Sequence, residues 1–200
     1  NGARCVAAWL VRDGAASPPG FRLESPAGVI DVECLADGRF ALDMGLPEFA
    51  PPQIPFSAAS EQAQYEDVRD GQPIRFGAVS MGNTHAVIVV EDIARAPVAA
   101  IGPMLQAAGD FPQGVNVGFA QIVSPGEIHL RVFERGAGET LACGSGACAA
   151  VAVLVRQGRV GRHVDVHLPG GTLVIDWPTD SAPVRMAGPA TFVFEGEWLA

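Results

Sequence analysis

The sequence is defined first by what it lacks. No apolar run is long enough to form a membrane-spanning helix. No charged stretch leads into an apolar segment with a cleavage site, so no secretory signal is read. There is no methionine at the start, so Asn1 is not expected to be the native first residue. Cysteine is scarce, with Cys5, Cys34, Cys143 and Cys148 in 200 residues. Four thiols without a secretion signal predict a reducing, cytoplasmic setting rather than a disulfide framework. Basic residues are outnumbered, 13 Lys plus Arg against 22 Asp plus Glu, for a formal charge of −9. With no basic stripe, nucleic acid is excluded as a partner, and an acidic chain is repelled by anionic membranes.

What is present is a globular composition: 48% hydrophobic, 18% charged, 24 Gly and 16 Pro. That many turn residues without low complexity predict many short strands, in one domain or two small ones. A partial internal repeat organises the chain. Residues 1–12 read like residues 145–156. In each copy an apolar helical run (3–12 and 147–156) is broken by Gly14 or Gly158 and followed by two strands. The early pair is Phe21 to Leu23 and Val29 to Cys34, joined through Ser25-Pro26-Ala27-Gly28. The later pair is His163 to Leu168 and Thr172 to Trp177, joined through Pro169-Gly170-Gly171. Between the copies, residues 45–72 read as a linker or irregular crossing. Ile74 to Ser80 and Ala86 to Val90 read as strands, 96–107 as a helix, and Val115 to Val123 with Ile128 to Phe133 as a hairpin. The expected fold class is α+β: two similar, mostly antiparallel units, each wrapped round one apolar helix. A helix apolar on all sides is expected to be buried on all sides.

The run 134–148, Glu-Arg-Gly-Ala-Gly-Glu-Thr-Leu-Ala-Cys-Gly-Ser-Gly-Ala-Cys, carries the most chemistry. Cys143 sits in a Gly/Ser turn directly before a helix. The free N–H groups of a helix start attract anions and lower a thiol's pKa, and Gly144 and Gly146 let a ligand approach the backbone. The competing reading is a structural cysteine in a glycine turn. Cys143, Cys148, His163 and His167 mimic a zinc-finger order. However, Cys148 falls inside the helical run, and the two histidines are about 13 Å apart along one strand, so no metal is expected. Glu134 and Arg135 are either a solvated pair or, through Arg135, a carboxylate binder. Asn83, His85 and Asn116 lie between apolar stretches, where polar groups also satisfy turns. Cys5, Cys34 and Cys148 are read as core residues.

These motifs resemble those of the diaminopimelate epimerase family. The run 134–148 is similar to its C-terminal signature. Met-Gly-Asn-Thr-His (81–85), Phe-Pro-Gln-Gly-Val-Asn-Val (111–117) and Gly-Pro-Ala-Thr-Phe-Val-Phe-Glu-Gly-Glu (188–197) match in order, and Asn-Gly-Ala-Arg-Cys (1–5) resembles the end of its first signature. The resemblance implies interconversion of LL- and meso-diaminopimelate, on the route to lysine and peptidoglycan, without pyridoxal phosphate or metal. Two cysteines would act on opposite faces of the α-carbon. Cys143 would be one of them. The other would lie two positions before Asn1, outside this sequence. His85 and Glu134 would polarise the thiols; Asn1, Asn83, Asn116, Glu134, Arg135, Gly144 and Ser145 would hold substrate. A homodimer is implied, as are a partial N-terminal domain (1–43 plus 189–200) and a C-terminal domain (44–188). Thr84 departs from the family, which usually has Pro there. Two alternatives remain open: a proline racemase-like enzyme of the same fold, and a catalytically inactive fragment, because the partner cysteine is absent from these residues.

Overall fold

The structure is a computed structural model that describes residues 1–25, 28–69 and 71–197. The chain divides into two compact units: Asn1–Leu42 with Ala187–Ala200, and Asp43–Met186. The architecture is α+β, mostly sheet with few helices.

The smaller unit opens with α1 (Gly2–Arg12). A hairpin of β1 (Gly20–Ser25) and β2 (Gly28–Cys34) follows, in register from Gly20↔Glu33 to Ser25↔Gly28. The centre of the expected Pro26-Ala27 turn lies outside the described residues. β3 (Phe40–Asp43) pairs antiparallel with β2. Contrary to expectation, α1 is not buried all round. Only Arg4, Ala7 and Ala8 are buried, a stripe at i, i+3 and i+4, whereas Val6 and Trp9 are 45% and 48% exposed. Cys5 is exposed and Cys34 only half-buried, so neither is the core residue the sequence suggested. The physical reason is that one narrow stripe is all that the described part of this unit covers. Buried Arg4 is satisfied by polar partners: it donates to Asn1 Oδ1 at 2.8 Å and to the Pro189 carbonyl at 3.3 Å. Arg12 pairs with Glu195 at 2.6 Å and stacks over the Phe192 ring.

The larger unit contains β4 (Tyr65–Arg69), β5 (Gln72–Ser80), β6 (Thr84–Val89), α2 (Val98–Gln106), β7 (Asn116–Ser124), β8 (Glu127–Glu134), β9 (Gly138–Thr140), α3 (Gly144–Arg156), β10 (His163–Leu168) and β11 (Gly171–Asp176). β12 (Arg185–Gly188) spans the boundary between the units. Its sheet runs β11-β10-β8-β7-β6-β5-β4, with β9 paired to β8. Most pairs are antiparallel; β6–β7 and β8–β10 are parallel. Residues 45–64 are largely irregular, as expected, but 45–72 as a whole is more than a crossing. They hold β4 and a 3₁₀ turn (Pro51–Gln53), with Pro51, Ile54 and Tyr65 buried. Composition hid this because the anchors are single aromatics: Phe56 packs edge-on to Tyr65 at 4.8 Å and stacks on Phe111 at 4.6 Å.

Successive side chains point to opposite faces of the sheet, and through β5, β6 and the start of β7 both faces are buried. Ile74, Phe76, Ala78, Ala86, Ile88, Val117 and Phe119 join the aromatic core with Val98 and Leu105 of α2. The other face carries α3, which packs on β5, β6, β7, β8 and β11. Every residue from Ala147 to Leu154 is buried, so this helix does meet the expectation drawn from its all-round apolar sequence. Packing is close: a Cβ at Gly77 of β5 would lie 2.3 Å from Val153 Cγ1. The sheet therefore fixes the position of the α3 N-terminus.

Candidate active site

Cys143 is the N-cap of α3, in an extended conformation (φ −126°, ψ 108°). The first intrahelical bond runs from Ala147 N to Cys143 O at 3.0 Å. The N–H groups of Gly144, Ser145 and Gly146 therefore precede the helical ladder, where they and the helix dipole favour an anion. Space at Gly146 is tight: a Cβ there would lie 3.1 Å from both Cys143 Sγ and Val132 Cγ2, so both would have to give way.

Cys143 is buried, only 4% exposed. Its pKa is pushed up to about 11, first by that burial and then by the Glu134 carboxylate, which faces it; the Gly146 N–H and the Ser145 hydroxyl pull it down. This reverses the sequence expectation of a lowered pKa. The helix start does favour the thiolate, but desolvation of a buried sulfur outweighs it. At neutral pH Cys143 holds its proton.

The turn between β5 and β6 delivers the next two groups. Gly82 adopts φ +84°, which L side chains rarely adopt, and this turns Asn83 and His85 toward α3. His85 Nε2 lies 2.9 Å from Asn83 Oδ1 and 3.2 Å from Ser145 Oγ. Asn83 Nδ2 donates to Ser145 Oγ at 3.3 Å, and Ser145 Oγ lies 3.7 Å from Cys143 Sγ. His85 is 1% exposed. Burial, and secondarily the positive charge of Arg135, hold its pKa down at about 3, so the ring is neutral at pH 7. With Asn83 Oδ1 as its acceptor, the neutral ring is assigned the tautomer protonated at Nε2.

Glu134 ends β8, half-buried, and accepts a hydrogen bond from Thr140 Oγ1 across the β8–β9 hairpin. Asn116 is a strut on β7. Its Nδ2 donates to the Thr84 carbonyl on β6 at 3.0 Å, and its Oδ1 accepts from Arg135 N at 3.0 Å. The Arg135 guanidinium donates to the Gln113 carbonyl, and its stem lies over Gly114, where a Cβ would be 2.7 Å from Arg135 Cδ. Thr84, the departure noted above, is buried and donates to the Ile54 carbonyl at 2.8 Å.

Cys143, Gly144, Ser145, Asn83, His85 and Glu134 thus form one cluster, with Arg135 and Asn116 attached to it. Asn1 belongs to the other unit, as the N-cap of α1. The four zinc-like residues do not gather. Cys148 is buried in α3, His163 faces Asp176 at 2.6 Å, and His167 lies 3.1 Å from Glu127. Among the described residues no three His, Cys, Asp or Glu are placed to hold a metal. Thr140 was missed from sequence. The signal for Thr140 was a second short strand after Gly136-Ala137-Gly138, which returns beside Glu134.

The family model described as diaminopimelate epimerase matches residues 77–193. A diaminopimelate epimerase of Xanthomonas axonopodis pv. citri (strain 306) is 57% identical over 199 residues, which is 99% of this chain and 70% of that protein. An O-ureido-serine racemase of Streptomyces lavendulae is 58% identical over 201 residues, which is 100% of this chain and 70% of that protein. Among solved structures, a probable proline racemase of Agrobacterium radiobacter K84 matches with a TM-score of 0.69 at 18% identity, covering 99% of this chain and 67% of that one; this shows the shared fold alone. With a family model covering more than half of its length and relatives more than half identical across nearly all of it, the chain belongs to the diaminopimelate epimerase family.

Proposed function

We propose that this protein interconverts LL- and meso-diaminopimelate by moving one proton on and off the α-carbon, with Cys143 as one of two acid/base thiols. The observation that carries the reading is the buried Cys143 sulfur at the α3 N-terminus, with a carboxylate on one side and donors on the other. The substrate α-carboxylate sits on the N–H groups of Gly144 and Ser145, where the helix dipole favours its charge. A base removes the α-proton and leaves a planar carbanion, and an acid on the opposite face returns a proton with inverted configuration. At neutral pH Cys143 starts as the acid, since its pKa is raised. The base is a second thiolate on the opposite face of the α-carbon. The reading gives proton transfer to the two thiols. His85 and Glu134 polarise the site; Asn83, Asn116 and Arg135 hold the distal amino-acid end. By the same reading the enzyme is a cytoplasmic homodimer, which ultracentrifugation and fractionation test; family membership supports it.

The test is α-proton exchange in D₂O. The full-length protein should wash deuterium into LL-diaminopimelate and produce the meso isomer, and Cys143→Ala should lose at least 10³-fold, of the order of one general acid/base. Full activity in Cys143→Ala refutes the reading. The 58% identity to an O-ureido-serine racemase favours a second reading, racemisation of a serine derivative. A panel containing both substrates decides by the ratio of kcat/KM.

A further inference from the structure

Ser145 was read from sequence as a substrate contact, yet its hydroxyl is engaged on the far side of the site. A hydroxyl oxygen accepts two hydrogen bonds and donates one. The Asn83 amide donates to Oγ at 3.3 Å, and the protonated Nε2 of His85 approaches it at 3.2 Å while bonding Asn83 Oδ1 at 2.9 Å. Both neighbours are donors, so neither can take the hydroxyl proton. Among the described residues, the acceptor left to Oγ is Cys143 Sγ at 3.7 Å.

We propose that Asn83 and His85 occupy the accepting side of Ser145 Oγ and so commit its proton to the Cys143 sulfur, making Ser145 a positioning residue that selectively stabilises the thiolate. The groups facing this sulfur then act with opposite signs. Ser145 O–H from α3 and the Gly146 N–H favour the thiolate, and the Glu134 carboxylate from β8 favours the thiol. His85 on β6 is neutral and acts through Ser145; Arg135 acts on His85. A reversible acid/base thiol needs both sides, because each turnover leaves it in the other protonation state. A donor that relaxes to serve the thiolate and a carboxylate that receives the S–H let both states exist in one buried site. This rests on Cys143 being a working thiol and not on the identity of the substrate.

The experiment needs no substrate. The full-length protein is treated with iodoacetamide at pH 8.5, and the Cys143 adduct is followed by peptide mass spectrometry, with exposed Cys5 in the same sample as reference. Losing a hydrogen bond to a charged sulfur at this long distance raises the thiol pKa by about one unit, a tenfold drop in thiolate worth about 1.4 kcal/mol. The higher intrinsic nucleophilicity of a more basic thiolate returns part of this, leaving alkylation about three- to fourfold slower in Ser145→Ala. Ser145→Thr, which keeps the hydroxyl, should react near the parent rate, and Glu134→Gln should react faster. A merely structural role predicts the reverse for Ser145→Ala, since a loosened turn admits reagent more readily. Equal or faster alkylation in a Ser145→Ala protein with parent-like circular dichroism overturns the proposal. It would mean that the Asn83 amide is turned the other way and takes the hydroxyl proton on its oxygen. If Ser145→Ala does not fold, Ser145→Cys, near in size and a weaker donor, takes its place: slower alkylation supports the proposal and an unchanged or faster rate overturns it.

Discussion

His85 makes the folded state sensitive to acid, and the effect can be worked out in advance. The ring is buried beside Arg135, and its pKa falls from an ordinary 6.5 to about 3. Between those values the unfolded chain binds a proton that the folded chain refuses. Stability is therefore complete above pH 6.5 and is lost as pH falls toward 3. At pH 4.5 the gap from the ordinary value spans two units, so His85 alone removes about 3 kcal/mol. That is a large share of the ~5–15 kcal/mol typical of a folded domain. The perturbation is His85→Gln, whose amide can still reach Asn83 Oδ1 but does not titrate. Urea unfolding of both proteins at pH 7.0 and pH 4.5 gives the two differences. Carboxylates contribute alike to both and cancel. The parent should lose about 2–3 kcal/mol more than His85→Gln between the two pH values. Equal losses, within about 0.5 kcal/mol, would refute the picture of a buried neutral ring.

Two further outcomes follow from the same packing and charges. Cys143 has a raised pKa, so the folded chain keeps a proton that the unfolded chain gives up first; stability should fall as pH rises from about 9 toward about 11, and Cys143→Ala should flatten that slope in alkaline unfolding curves. Gly77→Ala drives a methyl to 2.3 Å from Val153 Cγ1 and should cost roughly 1–3 kcal/mol in urea unfolding, with Val153→Ala recovering part of the loss in the double variant; strictly additive losses would show that the two residues do not meet.

The strands with strong periodicity, β5 to β8 and the β10–β11 hairpin, were legible because alternation and turn residues are local signals. So was α3, whose all-round apolar sequence required burial. The turn carrying Cys143 was legible too, since a thiol before a helix start is a local pattern. The same reasoning failed for α1. Its sequence resembles α3, but burial depends on what covers a helix, and only one stripe of α1 is covered. It failed for Tyr65 and Phe56, which sit in a stretch of turn-like composition and find partners at Phe76 and Phe111.

By itself, then, the sequence singled out Cys143 as the candidate thiol, the glycines that shape its turn, and the family to which its motifs belong. It could not determine the thiol's protonation, which is a balance between helix N–H groups and desolvation, and burial is a property of the whole sheet around α3. Nor could it show that Asn83 and His85 close on Ser145, some 60 residues away in the chain. Those contacts exist because the β5–β6 turn and the α3 N-terminus are brought to one end of the same packed layer, and only the tertiary structure sets that distance.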